Sequence, residues 1–502
     1  MLKKPLVKAF AAVTSAMLLF GATGSLTQVN AQSDRVVKFA MVSEIDSLDP
    51  KQSSGTDTGS MLSNMHDGLI DFDEAGTIIP NLAESWEVSE DNLTYTFKLV
   101  EDATFHNGDT VTADDVIWSY ASLAGLDGEE ATSSKWEVVE SITAVDEFTV
   151  EITLSSIDSG FLARTLMPVM PADYEDQASM PIGAGPFKFV EWNQGESLVM
   201  ERNDDYYLGD KVAEIAGVEW ILMQDPATIT LALQTGEIDI AGTSIEGKAQ
   251  LGDTMNYVEG PQNMVVIFGL NHTHEPFQDI KVRQAINFAI NKQELIDVVF
   301  QGNGVELGSM FSPAMEYYYQ EGLEAVYAYD PEKAKELLAE AGQEDLTFTI
   351  KVPSHAQFYV DTAQVMASQL SQVGVTMEIQ PIEWSTWLEE VYTDFDHEAT
   401  LIGLTGKIDP YYVLIRFREG YNRNFVNYNN EAYNTAIDNA IQELDEEARM
   451  TYYKEAQTIL TEDASSVFLF DPNRITAMQV DLEGLGLFPA QKYNLEDLRI
   501  VE

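Results

Sequence analysis

The chain has 502 residues, with 28 lysines and arginines against 83 aspartates and glutamates, a formal charge of −55. Hydrophobic residues make up 45% and aromatics 10%, which excludes a disordered acidic tail and leaves room for two or three cored domains. Such an acidic excess argues against nucleic acid and anionic membrane as partners, since both need a basic footprint, and favours a soluble monomer through self-repulsion.

The N-terminus reads as a signal peptide over residues 1–31. Lys3, Lys4 and Lys8 form a positive region, residues 9–22 are small and apolar, and Val29-Asn30-Ala31 offers a cleavage site before Gln32. The apolar run of about 14 residues falls short of the roughly 20 a membrane span needs. Leu19-Phe20-Gly21-Ala22 resembles a lipoprotein box with alanine where the lipidated cysteine belongs. The chain has no cysteine, which excludes lipid anchoring there, disulfides, thiolate metal sites and cysteine nucleophiles together. The expectation is an exported, periplasmic protein, soluble and not lipid-anchored.

Residues 36–42 predict a first strand, followed by a turn at Ser47-Leu48-Asp49-Pro50. Residues 94–99 alternate with period two, as a half-buried strand does. Thr112-Ala113-Asp114-Asp115 opens a helix through Tyr120, its acidic first turn suited to the helix dipole. Residues 148–154 alternate again, and Ile182-Gly183-Ala184-Gly185-Pro186 predicts a tight loop before a strand over 187–192. The continuous apolar run 264–270 predicts a fully buried strand. Residues 279–300 predict one long amphipathic helix, with Val282, Ala285, Ile286, Ala289, Ile290 and Ile296 on one face. Asp330-Pro331-Glu332 caps another helix ending at Gly342. A strand over 348–352, a helix through Val373 and a strand over 375–379 form a strand–helix–strand unit. Residues 433–461 are largely helical, broken near Leu444-Asp445. Strands alternating with helices over this length define α/β domains.

Enzyme signatures are absent: there is neither His-Glu-x-x-His nor Gly-x-Ser-x-Gly. His272-Thr273-His274 sets two imidazoles two residues apart, which on a strand would put both on one face, but a loop is the commoner setting and no third metal ligand is identifiable. Gly242-Thr243-Ser244-Ile245-Glu246-Gly247-Lys248 has the spacing of a phosphate loop. It is followed by Ala249 in place of the hydroxyl that holds magnesium, and Glu246 repels phosphate. No catalytic residue, metal site or cofactor is expected. A secreted hydrolase, which would need a carboxylate pair at fixed separation in a cleft, is the remote alternative.

Several segments, in order along nearly the whole mature chain, resemble the extracytoplasmic solute-binding proteins of peptide/nickel-type ATP-binding-cassette importers, solute-binding protein family 5. They are Ser47-Leu48-Asp49-Pro50, Ile79-Pro80-Asn81-Leu82-Ala83-Glu84-Ser85-Trp86, Phe105-His106-Asn107-Gly108-Asp109, Thr112-Ala113-Asp114-Asp115-Val116, Gly183-Ala184-Gly185-Pro186-Phe187 and Arg202-Asn203-Asp204-Asp205-Tyr206-Tyr207. Gly236-Glu237-Ile238-Asp239-Ile240, Val282-Arg283-Gln284-Ala285-Ile286, Tyr329-Asp330-Pro331-Glu332-Lys333-Ala334 and Asp409-Pro410 complete the set.

The resemblance implies an α/β, two-lobe periplasmic-binding-protein fold of type II, in the large variant with an extra subdomain in lobe I and a ligand cleft between the lobes. The expected divisions are lobe I over 32–55, the extra subdomain over 56–182, lobe I again over 183–262, lobe II over 263–475 and a return to lobe I over 476–502. The hinge crossings fall near 262–271 and 468–477. The implied partners are a small solute and an inner-membrane permease; neither a cofactor nor nucleic acid is implied, and the protein is expected to act as a monomer.

Dipeptide binders of the family hold the peptide ammonium with an aspartate in the glycine-rich loop before an Asp-Pro. Here that loop is Gly403-Leu404-Thr405-Gly406-Lys407-Ile408-Asp409-Pro410, and the aspartate's place falls on Gly406 or Lys407. The arginine for the peptide carboxylate falls near Val352, Pro353 or Ser354, none cationic. The implied candidate binding residues are Thr405, Gly406, Lys407, Asp409 and Tyr411 in the loop, with Trp384 and Glu44. Lys407 is expected to meet an anionic or oxygen-rich part of the solute, and Tyr411 or Trp384 to supply an apolar wall. Peptides are the leading solute class, with oligosaccharides, opines and metal chelates as the alternative.

Overall fold

A computed structural model of the protein describes residues 32–126, 128, 130–490 and 492–501; the expected signal peptide lies outside the described residues. The predicted first strand forms at Val36–Met41 and pairs in parallel with Gly217–Leu222 on one side and Ile240–Gly242 on the other. Ser197–Arg202 and Phe187–Asn193 extend this half of the sheet in antiparallel fashion.

The same twelve-stranded sheet continues into a second half. There Met264–Leu270 lies between Ala399–Thr405 and Val467–Gln479. Six of its seven residues are buried, because the sheet is covered on both faces, and this is why the sequence shows a continuous apolar run. The predicted strand–helix–strand unit forms at Thr347–Pro353, Gln357–Ser371 and Thr376–Ile382, the strands parallel with Ile350 opposite Ile379.

The strand Val467–Gln479 belongs to both halves. Val467, Phe468 and Phe470 pair with Met264–Leu270, whereas residues 473–479 pair with Met255–Pro261 and, at 476–478, with Ile240–Gly242. A separate antiparallel sheet contains Ala83–Val88, Thr94–Leu99, Thr149–Leu154 and Val139–Asp146. Its alternating strands turn one face toward the helix Ala113–Ala124. That helix starts as predicted: the Asp115 carboxylate accepts from both the backbone N–H and hydroxyl of Thr112, each at 2.8 Å.

Three large hydrophobic cores result. One is built from residues 265–470, a second from 69–184, and a third joins 37–65 to 187–240 and 478–498. The chain therefore leaves the third core to build the second, returns, and visits the first before its C-terminal segment comes home.

The expected single helix over 279–300 is two helices, Ile280–Ala289 and Lys292–Phe300. Ile290 is extended, and the Asn291 side chain accepts the Glu294 N–H at 3.1 Å. Asparagine competes for helix backbone donors and so starts a new helix without disturbing the apolar stripe. The break near Leu444-Asp445 forms as predicted, with Asp445 capping Glu446–Glu462.

Candidate functional site

The glycine-rich loop follows the strand Ala399–Thr405. Gly406 donates its N–H to the Asn263 carbonyl at 2.6 Å, and any side chain at 406 would collide with the Asn263 amide. Asn263 in turn donates to the Pro489 carbonyl at 2.7 Å, so the loop is tied to the passage between the two sheet halves. Thr405 and Lys407 are exposed, whereas Ile408 is buried against Phe72 and Phe488. Asp409 is buried and accepts the Tyr411 N–H at 2.7 Å, and Tyr411 is half-buried. Five of the seven candidate residues thus share one loop.

The loop borders a cavity of about 380 Å³. Trp86, Tyr95 and Leu162 of the second core line one side; Tyr317, Tyr318, Asp409 and Arg449 line the other. Burial raises the Asp409 pKa above its ordinary value; Arg449 and Arg164 oppose the shift and Asp158 adds to it.

Polar contacts cross from one core to the other beside this cavity. Arg449 Nη1 donates to the Ser159 carbonyl at 2.7 Å, the Ser159 N–H donates to Ile441 O at 2.8 Å, and its hydroxyl to Ala440 O at 2.9 Å. Arg164 forms a buried ion pair with Asp158 and donates from Nε to the Tyr412 hydroxyl. Gly160 lies against the Asp409 carboxylate so closely that a methyl group there would clash with it.

Around Tyr412 a second kind of chemistry gathers. The Lys135 ammonium stands 5.0 Å from the Tyr412 ring centre, and the Arg164 guanidinium 5.6 Å from it. Lys407 and Lys135 are exposed as whole residues, yet protein crowds their ammonium groups. Both pKa values are lowered, first by this desolvation; for Lys407 the charges of Lys135 and Arg416 follow, and for Lys135 those of Arg164, Arg416 and Arg423. Among the described residues Lys135, Lys407, Arg416 and Arg423 have no carboxylate partner.

Trp384 and Glu44 stand apart from the cavity. Trp384 is exposed, stacks on Trp387 with ring centres 5.2 Å apart, and meets the His355 ring at 4.8 Å. Glu44 is exposed in a shallow recess with Trp192 and Trp220. The aromatic residues lining the cavity are Trp86, Tyr95, Tyr317 and Tyr318; Trp384 and Tyr411 are not among them. Sequence reading missed Lys135, Arg164, Arg416, Arg423 and Arg449. The run Tyr317-Tyr318-Tyr319 was the visible signal for the wall; Lys135, a lone base between Glu130 and Glu137, was the visible signal for the basic group.

The other motifs resolve into structure. His272 bonds the Ser465 carbonyl at 2.9 Å, while His274 approaches Glu398 at 3.6 Å. Among the described residues no cluster of metal-ligating side chains occurs. Ser244 caps the helix Ile245–Leu251, and Lys248 pairs with Glu259.

A cavity between the first and second cores, with paired strands carrying the chain between the first and third, defines a two-lobe binding protein of type II with an extra subdomain. The chain belongs to the bacterial extracellular solute-binding proteins, family 5, whose middle region it matches over residues 77–425. Proteins of this family are the solute-binding subunits of ATP-binding-cassette importers. The chain is 28% identical over 519 residues to the glutathione-binding protein GsiB of Pectobacterium atrosepticum, covering 98% of each. It is similar to the oligopeptide-binding protein AppA of Bacillus subtilis solved with a nonapeptide, at TM-score 0.75 and 25% identity, covering 94% of this chain and 100% of that one. It shares its fold with HbpA2 of Haemophilus parasuis, at TM-score 0.85 and 24% identity, covering 93% and 100%. Among the described residues no helix is long and apolar enough to cross a membrane.

Proposed function

We propose that this chain captures a small peptide-type solute between its lobes and presents it to an inner-membrane permease, binding without turnover. The observation that carries the reading is the cavity of about 380 Å³ lined from two cores, with Asp409 and Arg449 offering opposite charges between aromatic walls. That volume lies in the roughly 300–1,000 Å³ range of small-molecule sites, and buried charges of both signs suit a zwitterion. The names of its relatives, a glutathione-binding and an oligopeptide-binding protein, point the same way.

The loop 405–411 supplies Asp409 and, beside the cavity, Thr405, Gly406, Lys407 and Tyr411; Trp384 and Glu44 serve only if closure brings them to the solute. We keep the divisions that the resemblance implies, with the extra subdomain over 56–182, although Met61, Leu62 and Met65 pack into the third core. Signal cleavage before Gln32 releases a soluble periplasmic monomer that binds no nucleic acid.

Native mass spectrometry of protein purified without refolding tests the reading, because a tight binder retains its cargo. A peptide mass released on unfolding, together with a smaller radius of gyration in the loaded form, is the expected result. An unchanged radius on loading a proven solute would remove the closing-cleft reading, and a retained oligosaccharide would move the solute to another class.

A further inference from the structure

We infer that the solute is a short acidic peptide, whose carboxylates bridge Lys135 on one side of the interlobe crevice to Lys407, Arg416 and Arg423 on the other. The inference rests on the solute-capture reading above and names the chemistry of what is captured.

The argument starts from scarcity. With 83 acids to 28 bases, a surface base in this chain has many carboxylates within reach. Lys248, Lys281, Lys333 and Arg418 each have one at 3.0 Å or closer. Other bases, among them Lys38, Lys454 and Arg499, also lack a carboxylate partner among the described residues. What sets Lys135, Lys407, Arg416 and Arg423 apart is that they gather beside Tyr412, close enough for their charges to act on one another.

They also come from different parts of the molecule. Lys135 belongs to the segment that builds the second core, and Lys407, Arg416 and Arg423 to the segment that builds the first. Tyr412 stands between them, with the Lys135 ammonium 5.0 Å from its ring centre and Arg164 bonded to its hydroxyl. Arg423 lies 5.6 Å from the Tyr392 ring centre, so an aromatic face steadies it without neutralising it. Like charges approaching from two cores repel, and an anion between them turns repulsion into attraction. Elsewhere the chain's excess of 55 negative charges repels an anion, which concentrates its landing on this group.

A ligand with more than one carboxylate engages cations on both sides at once, and the planar guanidinium of arginine matches carboxylate geometry. Asp409 and Arg449, in the adjoining cavity, remain available to the peptide's own termini.

Calorimetry at low salt with four probes tests this: the dipeptides Glu-Glu, Ala-Ala and Lys-Lys, and citrate as a polycarboxylate that is not a peptide. The expected result is Glu-Glu binding at least tenfold tighter than Ala-Ala, no binding of Lys-Lys, and an affinity that falls as salt rises. Lys135→Glu and Lys407→Glu should each weaken Glu-Glu tenfold or more, with thermal midpoints close to the parent's, because neither lysine has a carboxylate partner to strand. Should Ala-Ala bind as tightly as Glu-Glu, or both variants keep full affinity for Glu-Glu, the inference is overturned while peptide capture stands. Should citrate bind in a Lys135- and Lys407-dependent way while no dipeptide binds, the basic group is an anion site but the acidic-peptide assignment and the peptide reading both fall. Binding of none of the four overturns both.

Discussion

Two charged neighbourhoods meet at the segment carrying Asp409, Tyr412 and Arg416, and they are built on opposite terms. In the first, Asp158, Arg164, Asp409 and Arg449 alternate in sign, are largely buried, and find partners in one another and in backbone carbonyls across the two cores. In the second, Lys135, Lys407, Arg416 and Arg423 share one sign, face solvent or lie half-exposed, and have no carboxylate. Buried charge persists only when neutralised and hydrogen-bonded. Exposed charge of one sign adds mutual repulsion rather than pairing within the fold. The contrast separates charges that are already paired within the protein from charges that are not.

Arg164→Ala tests the first neighbourhood hardest. It strands the Asp158 carboxylate, whose side chain is only 11% exposed, and removes the bond to Tyr412, so unfolding by urea should show a loss of about 3–5 kcal/mol. A loss under 1 kcal/mol would mean that the pair is as solvated as the second group. Tyr412→Phe leaves the Arg164 Nε–H without its acceptor and should lose about 1.5–3 kcal/mol in the same assay, the range for bonds to charged groups. Gly160→Ala pushes a methyl into the Asp409 carboxylate and should lose about 1–3 kcal/mol, the usual penalty for overpacking.

Asp409→Asn sharpens the comparison through pH. Burial raises the Asp409 pKa, so the folded protein holds this proton more tightly than the unfolded chain. Its contribution to stability therefore declines as pH rises from the unfolded value of 3.8 through the raised folded one. The asparagine variant lacks that decline. It should match or exceed the parent's stability at neutral pH, with the difference shrinking as pH falls, which thermal unfolding from pH 4 to 8 measures. Lys407→Ala should have the smallest effect on stability, within about 0.5 kcal/mol, as for other exposed positions.

The elements legible in the sequence are those with local signals. The strands Thr94–Leu99 and Met264–Leu270 form where alternation and continuous apolarity predict them, and Asp330-Pro331 and Asp445 cap their helices. The Asn291 break was hidden because a cap of this kind leaves the apolar stripe on one face. Part of the candidate site was legible because the glycine-rich loop is contiguous. The rest was not: Lys135 and Lys407 are joined only by the approach of two cores, and no spacing along the chain encodes that approach. Trp384 stacks on Trp387 yet stays exposed, an arrangement that no spacing along the chain encodes.

The strand Val467–Gln479 has a consequence for the order in which the molecule assembles. It pairs with residues about 200 or more positions earlier in both halves of the large sheet. A growing chain therefore holds Met255–Pro261 and one edge of Met264–Leu270 unpaired until nearly all of it has emerged. Closing loops of that length is slow, because the entropy of bringing the ends together is lost before any contact compensates it. One late segment completes both halves at once, so a chain stopped short of residue 467 has neither half finished and presents open strand edges instead of a smaller stable fold.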